Sequence, residues 1–218
     1  MPIRIKICGI TRYEDAKAAA SIGVDALGFI FCEKSPRYIT PKAAAIIIAQ
    51  LPPFVSRVGV FVDESPEQVI AVARATGIDT LQLHGIESPS YCAKMPLPVI
   101  KAFSIDTTTD LSVLDHYRTT GFLLDTWSSD RRGGTGKTFD WSIAADACRK
   151  SDRIILSGGL NSGNIEEAIE TVLPYGVDIN SGVEISPGEK NPHKMRQIVQ
   201  VIRDWERRGG TSSHRRRD

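Results

Sequence analysis

The sequence predicts a single α/β domain, a closed (β/α)8 TIM barrel spanning residues 1–208, followed by a short disordered basic tail at 209–218. Three observations carry that prediction. Short apolar runs of strand length alternate with helical patterns eight times, with no change of composition between units, as expected for parallel strands joined by right-handed crossovers. The chain of 218 residues, 41% of them hydrophobic, can bury the core of one barrel. Polar residues recur at the C-terminal ends of the strands, where sites gather in such barrels. No glycine-rich dinucleotide fingerprint follows the first strand, which disfavours the competing open doubly wound sheet.

The first strand lies in the stretch IRIKICGIT at 3–11, whose alternation sets Arg4, Lys6 and Cys8 on one face and Ile3, Ile5 and Ile7 on the other. Gly9 turns the chain, Thr11 is a candidate cap, and a helix follows over 14–22 until Gly23 stops it. A strand at 26–31 leads through the loop 32–39 to a helix over 42–50, with Pro41 at its start. The third strand is 55–62, and Ser65 and Pro66 open a helix to about Thr76. A fourth strand at 79–84 alternates Thr80, Gln82 and His84 against Leu81 and Leu83. A short helix at 91–95, a strand at 99–103, a weak helix at 111–117 and a strand at 121–125 follow. Beyond a long loop come a helix at 141–148, a strand at 153–157, a helix at 161–172, a strand at 176–181 and a final helix at 192–207.

The formal net charge is +1, but the last twelve residues hold five Arg and one Asp; without them 22 basic residues face 25 acidic ones. A mildly acidic body with a short basic tail lacking aromatic residues is a poor nucleic-acid binder, and no nucleic-acid partner is expected. Cys8, Cys32, Cys92 and Cys148 are too widely spaced for a metal knuckle and too few for a secreted disulfide scaffold, so a reduced, cytoplasmic setting is expected. Neither a signal peptide nor an apolar run long enough to span a membrane is seen.

A lone cysteine is commonly a small buried hydrophobe, and the position of Cys8 at a polar strand end rather than inside an apolar run lowers the weight of that reading and leaves a functional thiol open. Ser157, Gly158 and Gly159 follow the seventh strand, and Asn180, Ser181 and Gly182 the eighth. Unhindered backbone N–H groups there suit a phosphate at the usual place of this barrel. The run GGTGKT at 133–138 is not a P-loop, because Arg131 stands where that motif needs glycine; it suits a loop that closes over a site. Asp125 ends its strand after apolar residues. Gln82 and His84 face one way and are either pocket-lining or satisfied core residues, and Asp178 either orients neighbours or pairs with a cation inside the barrel.

The segments KICGIT at 6–11, GFIF at 28–31, SPRYI at 35–39, VGVFV at 58–62, LQLHG at 81–85, IKAF at 100–103, LLD at 123–125, GGTGKTFDW at 133–141, SGGL at 157–160 and GVDINSGVE at 176–184 resemble, in order, the phosphoribosylanthranilate isomerase family of tryptophan biosynthesis. Thr126, where many relatives carry Ser, is a mild departure. The resemblance implies an Amadori rearrangement of N-(5′-phosphoribosyl)anthranilate, with Asp125 as general acid and Cys8 as general base. It further implies Arg37 on the anthranilate carboxylate, His84 in substrate binding, and Gly158, Gly159, Ser181 and Gly182 on the phosphate. The thiol's pKa would have to fall, with Lys6 the candidate cation, and that of Asp125 to rise. No metal, nicotinamide or flavin is implied, since the net reaction moves protons only.

The alternatives are another phosphosugar isomerase or epimerase on the same barrel, an aldolase, or a non-catalytic phosphate-ligand binder. The partner in each is a small phosphosugar, and the protein is expected to be a monomer or homodimer. Because 209–218 contains no apolar side chain, deleting it should leave the melting temperature unchanged in a thermal denaturation. A lower melting temperature would show that the tail docks.

Overall fold

The computed structural model describes residues 2–106, 108–125 and 141–209. Thr126, the loop at 133–138 and residues 210–218 of the tail lie outside the described residues. The barrel strands are β1 (Arg4–Ile7), β2 (Ala26–Ile30), β3 (Ser56–Phe61), β4 (Thr80–Leu83), β5 (Val99–Ser104), β6 (Gly121–Asp125), β7 (Ile154–Ser157) and β8 (Gly176–Ile179). They pair in sequence order, all parallel, and β8 closes the ring on β1 with Lys6 in register with Asp178. The helices between and after them are α1 (Tyr13–Ser21), α2 (Pro41–Ile48), α3 (Pro66–Thr76), α4 (Pro89–Cys92), α5 (Ser142–Lys150), α6 (Ile165–Val172) and α7 (Pro192–Arg207). A 3-10 helix at Leu111–His116 occupies the fifth crossover, where the pattern is weakest.

Four helices start by one device. Thr40, Ser65, Ser88 and Asn191 each accept a hydrogen bond from a first-turn backbone N–H, and proline follows at the first helical position, where its missing donor is not needed. The Ser88–Pro89 start moves α4 ahead of the 91–95 that apolar spacing suggests. Thr11 does not cap α1: Arg12 holds that position without a side-chain bond, and the Thr11 hydroxyl donates to the Gly188 carbonyl. Nor does α6 begin at Asn161. The Asn161 and Asn164 amides both donate to the Gly159 carbonyl at 3.1 Å, folding 161–164 into a turn before the helix.

The pleat sorts the side chains. Ile5, Ile7, Leu27, Phe29, Leu81, Leu83, Leu124, Leu156, Val177 and Ile179 are buried in the main apolar core with residues of the helices. Their neighbours in sequence point into the barrel and split its interior. Towards the N-terminal face, Lys6, Ala26, Val58, Thr80, Ile100 and Ile155 line a cavity of about 680 Å³. Towards the C-terminal mouth, Cys8, Val60, Gln82, His84, Asp125 and Asp178 line one of about 310 Å³. Apart from Lys6, the larger cavity holds none of the residues singled out as candidate site residues; the smaller one does, at the end where barrels of this kind carry their sites.

After β8 the chain makes a 3-10 turn (Ser181–Val183) and a hairpin, β9 (Glu184–Ser186) and β10 (Glu189–Lys190), which the strand pattern does not predict. Gly182 is the tight point. A Cβ there would overlap the Leu160 carbonyl oxygen and crowd Asn161 Cα at 3.1 Å, both backbone atoms of the β7 loop. The glycine is therefore required for loop-on-loop packing. Gly182→Ala should lower stability by about 1–3 kcal/mol through overpacking, read from urea or thermal denaturation. An unchanged midpoint would mean that the two loops part without strain.

Candidate active site

Each site residue reaches the C-terminal mouth by a local reason. Cys8 continues the β1 ladder, its N–H donating to the Ile179 carbonyl at 2.9 Å, and Gly9 turns away at φ +74°. Gly28 on β2 leaves the room: a Cβ there would stand 2.7 Å from the Cys8 sulfur and 3.1 Å from Lys6 Cε. Arg37 lies in the β2–α2 loop, pinned where the Ile39 N–H meets the Ile30 carbonyl at 3.0 Å and the Ser35 hydroxyl accepts from the Arg37 N–H at 3.1 Å. His84 follows β4, with its N–H on the Phe61 carbonyl at 2.8 Å. Asp125 ends β6, in register with Ser104 and Ser157.

The structure brings Cys8, Arg37, His84, Asp125, Gly158, Gly159 and Ser181 to one cavity, together with Gln82, Asp178 and Asn180. Gly182 does not line it. Gly158 and Gly159 have φ of +98° and +65°, conformations that side chains rarely adopt. Among the described residues, the backbone N–H groups of Gly158, Gly159 and Ser181 have no acceptor, as an anion cradle requires.

Beneath the cavity Lys6 Nζ donates to Asp178 Oδ2 at 2.8 Å, both side chains buried. Asp178 thus pairs with a cation inside the barrel, and its other oxygen, Oδ1, is buried without a partner. Burial disfavours the Lys6 ammonium, but Asp178 and Cys8 outweigh it and hold its pKa above the ordinary value. Burial raises the Cys8 thiol and Asp178 raises it further, while Lys6 and Lys190 oppose; the net shift is upward. The lowering expected from Lys6 is present but is outweighed by burial and by Asp178. In the resting site Cys8 is a thiol.

Gln82 Nε2 stands 3.0 Å from His84 Nδ1, and His84 Nε2 lies 3.8 Å from Asp125 Oδ2. Burial lowers the His84 pKa despite Asp125, so the ring is neutral near pH 7. The loop carrying His84 is braced by a buried ion pair: Lys101 Nζ donates to Glu87 Oε2 at 3.0 Å and to the Leu83, Gly85 and Ala102 carbonyls at 3.2, 2.7 and 3.0 Å. Arg37 forks onto Glu184, with Nη2 2.7 Å from Oε2. Neither brace was singled out in the sequence. The β9–β10 hairpin that carries Glu184 has one local signal, the turn dipeptide Pro187–Gly188.

A closed parallel barrel with ionisable side chains gathered at its C-terminal mouth has the build of a (β/α)8 barrel enzyme. The chain matches the family described as N-(5′phosphoribosyl)anthranilate (PRA) isomerase over residues 5–201, and it belongs to that family. It is 50% identical over 202 residues to an N-(5′-phosphoribosyl)anthranilate isomerase from Pelobacter propionicus, covering 93% of this chain and 96% of the relative. It is also similar to a solved phosphoribosyl anthranilate isomerase in complex with reduced 1-(o-carboxyphenylamino)-1-deoxyribulose 5-phosphate, with TM-score 0.84 and 40% identity over 93% of this chain and 99% of that one. Monomers generated from the dimeric enzyme of Thermotoga maritima match with TM-score 0.82 and 37% identity over 92% and 98%.

The raised thiol generates a prediction with a definite sign. Thiolate absorbance lost on Cys8→Ser should titrate with a midpoint above the ordinary value of 9.0, because burial and Asp178 both favour the protonated form. A midpoint at or below 9.0 would show that Lys6 dominates the site.

Proposed function

We infer that this chain is an intramolecular aldose–ketose isomerase of tryptophan biosynthesis, converting N-(5′-phosphoribosyl)anthranilate to 1-(2-carboxyphenylamino)-1-deoxyribulose 5-phosphate. The observation that carries the reading is the single cavity in which Cys8, Asp125 and Arg37 meet the two glycines of the β7 loop. An acid–base pair, an anion-binding guanidinium and a backbone cradle match the sugar, the carboxylate and the phosphate of that substrate.

In the proposed sequence Asp125, as the carboxylic acid, gives its proton to the ribose ring oxygen, and the C1–O bond breaks to a protonated Schiff base. The Cys8 thiol passes its proton to the Asp125 carboxylate that ring opening leaves in the same cavity, and as thiolate then takes the proton from C2; the C–H electrons form the C1–C2 double bond and neutralise the nitrogen. The resulting enolamine tautomerises to the ketone. Arg37 takes the anthranilate carboxylate, and Gly158, Gly159 and Ser181 take the phosphate, with Gly182 supporting the loop. His84 stands beside Asp125, its Nε2 3.8 Å from Oδ2. No added cofactor is called for by proton transfers alone. No helix among the described residues is long and apolar enough to cross a membrane. We place the enzyme in the cytoplasm, where four free cysteines stay reduced, as a monomer or homodimer acting on a small phosphosugar and not on nucleic acid.

Purified protein mixed with phosphoribosylanthranilate should abolish the substrate's fluorescence without added cofactor. Cys8→Ala and Asp125→Asn should each lower kcat by about a hundredfold or more with the circular dichroism spectrum unchanged, the scale of a positioned base or acid. Near-normal turnover by either variant would remove the role given to that residue.

A further inference from the structure

Arg37 is held by a buried group that the acid–base chemistry does not use. The Glu184 carboxylate accepts from Arg37 Nε at 2.9 and 3.1 Å and from Arg37 Nη2 at 2.7 Å. It also accepts from Lys190 Nζ at 2.8 Å and from the Gly188 N–H at 3.1 Å. Lys190 is wholly buried, and its ammonium is further fixed by Asn180 Oδ1 at 3.0 Å and the Asn180 carbonyl at 3.3 Å. Asp15 does not touch that ammonium: it accepts from the Lys190 backbone N–H at 3.0 Å and is itself forked by Arg12.

Two consequences follow from this geometry. The fork onto Glu184 uses Nε and Nη2, leaving Nη1 of Arg37 without an acceptor among the described residues, on a side chain that lines the cavity. Without Lys190, the Arg37–Glu184 pair would be neutral, and an incoming carboxylate would meet a guanidinium already compensated beside a buried negative charge. With Lys190 the three groups together carry one positive charge. Burial works against the Lys190 ammonium, whereas Arg37 and Lys190 hold the Glu184 carboxylate below its usual range despite its own burial.

We propose that Lys190 is a positioning residue for the aromatic end of the substrate: by neutralising Glu184 it leaves Arg37 both fixed in orientation and net cationic toward the substrate carboxylate. Glu184 sets the angle of the guanidinium, and Lys190 keeps that orientation from extinguishing its charge. This rests on the reading of Arg37 as the carboxylate's partner.

The test compares Arg37→Met, Lys190→Met and the double variant Lys190→Met/Glu184→Gln, each with phosphoribosylanthranilate and with the analogue made from aniline, which lacks the carboxylate. Lys190→Met should raise KM for the natural substrate about tenfold and leave KM for the aniline analogue unchanged, while any fall in kcat from the lost charge near Cys8 should be the same on both substrates. The double variant removes the uncompensated carboxylate while keeping an amide oxygen for Arg37, so its KM should return toward that of the wild type. A brace that served only to hold the fold would make the double variant worse than the single one, and that result overturns the proposal. So does a normal KM, or an equal rise in KM on both substrates, in Lys190→Met when Arg37→Met is impaired only on the natural substrate. If Arg37→Met itself shows a normal KM, the reading of Arg37 fails and the proposal with it.

Discussion

The buried ion pair between Lys6 and Asp178 is the interaction on which the rest of this barrel depends. It spans β1 and β8, the seam where the sheet closes, at registered positions whose side chains both point inward. Removing two charges from water costs several kcal/mol per ion, so such a pair adds little net stability over apolar residues of the same shape. Losing one partner is another matter, since it strands a buried charge next to Cys8. The pair also divides the interior. Lys6 belongs to the lining of the N-terminal cavity and Asp178 to that of the C-terminal one, so the bridge forms part of the floor of the candidate site.

That floor determines what its neighbours can be. A lysine reaching across the barrel interior takes the space of a side chain on the next strand, and β2 answers with Gly28, whose missing Cβ accommodates both Lys6 Cε and the Cys8 sulfur. On β4 the inward position holds Gln82, which spends one end of its amide on His84 and leaves Oε1 buried without a partner. With Asp178 Oδ1 this makes two buried acceptors without a partner beside one cavity, an arrangement whose desolvation costs stability.

The barrel was legible because its signals are local and repeated. Period-two alternation in 3–11 and 79–84 fixed which side chains point inward, and six of the residues drawn from strand ends and glycine loops, among them Cys8, Asp125 and Gly158, share one cavity with Arg37 from a surface-like loop. What escaped depends on contacts far apart in sequence. The role of Gly182 is set by the Leu160 carbonyl, and the orientation of Arg37 by Glu184, 147 residues away on a two-strand hairpin with too few residues to show a period. The start of α6 was misread for a related reason. An asparagine is equally able to cap a helix or to close a turn, and the Gly159 carbonyl, which both Asn161 and Asn164 bind, decides between them.

The direction of the Cys8 shift has the same origin and bears on the proposed chemistry. A lysine two residues away on the same strand face suggests a thiolate, but the lysine is already committed to Asp178, whose negative charge and the surrounding burial favour the thiol. The resting site therefore pairs its fixed charges, Lys6 with Asp178 and Arg37 with Glu184, and keeps His84 uncharged. A base that is protonated at rest needs a positive charge to favour its ionised form, and the proposed ring opening creates one: the protonated Schiff base forms beside C2, in the cavity that Cys8 lines. In the proposed sequence, acid catalysis by Asp125 would supply the condition for base catalysis by Cys8: the iminium charge favours the thiolate, and the Asp125 carboxylate left by ring opening is the base that takes the thiol proton. On this view the order of the two proton transfers is set by electrostatics. A thiolate stabilised permanently by an unpaired lysine would dispense with that coupling, and burial together with the carboxylate on Lys6 prevents it.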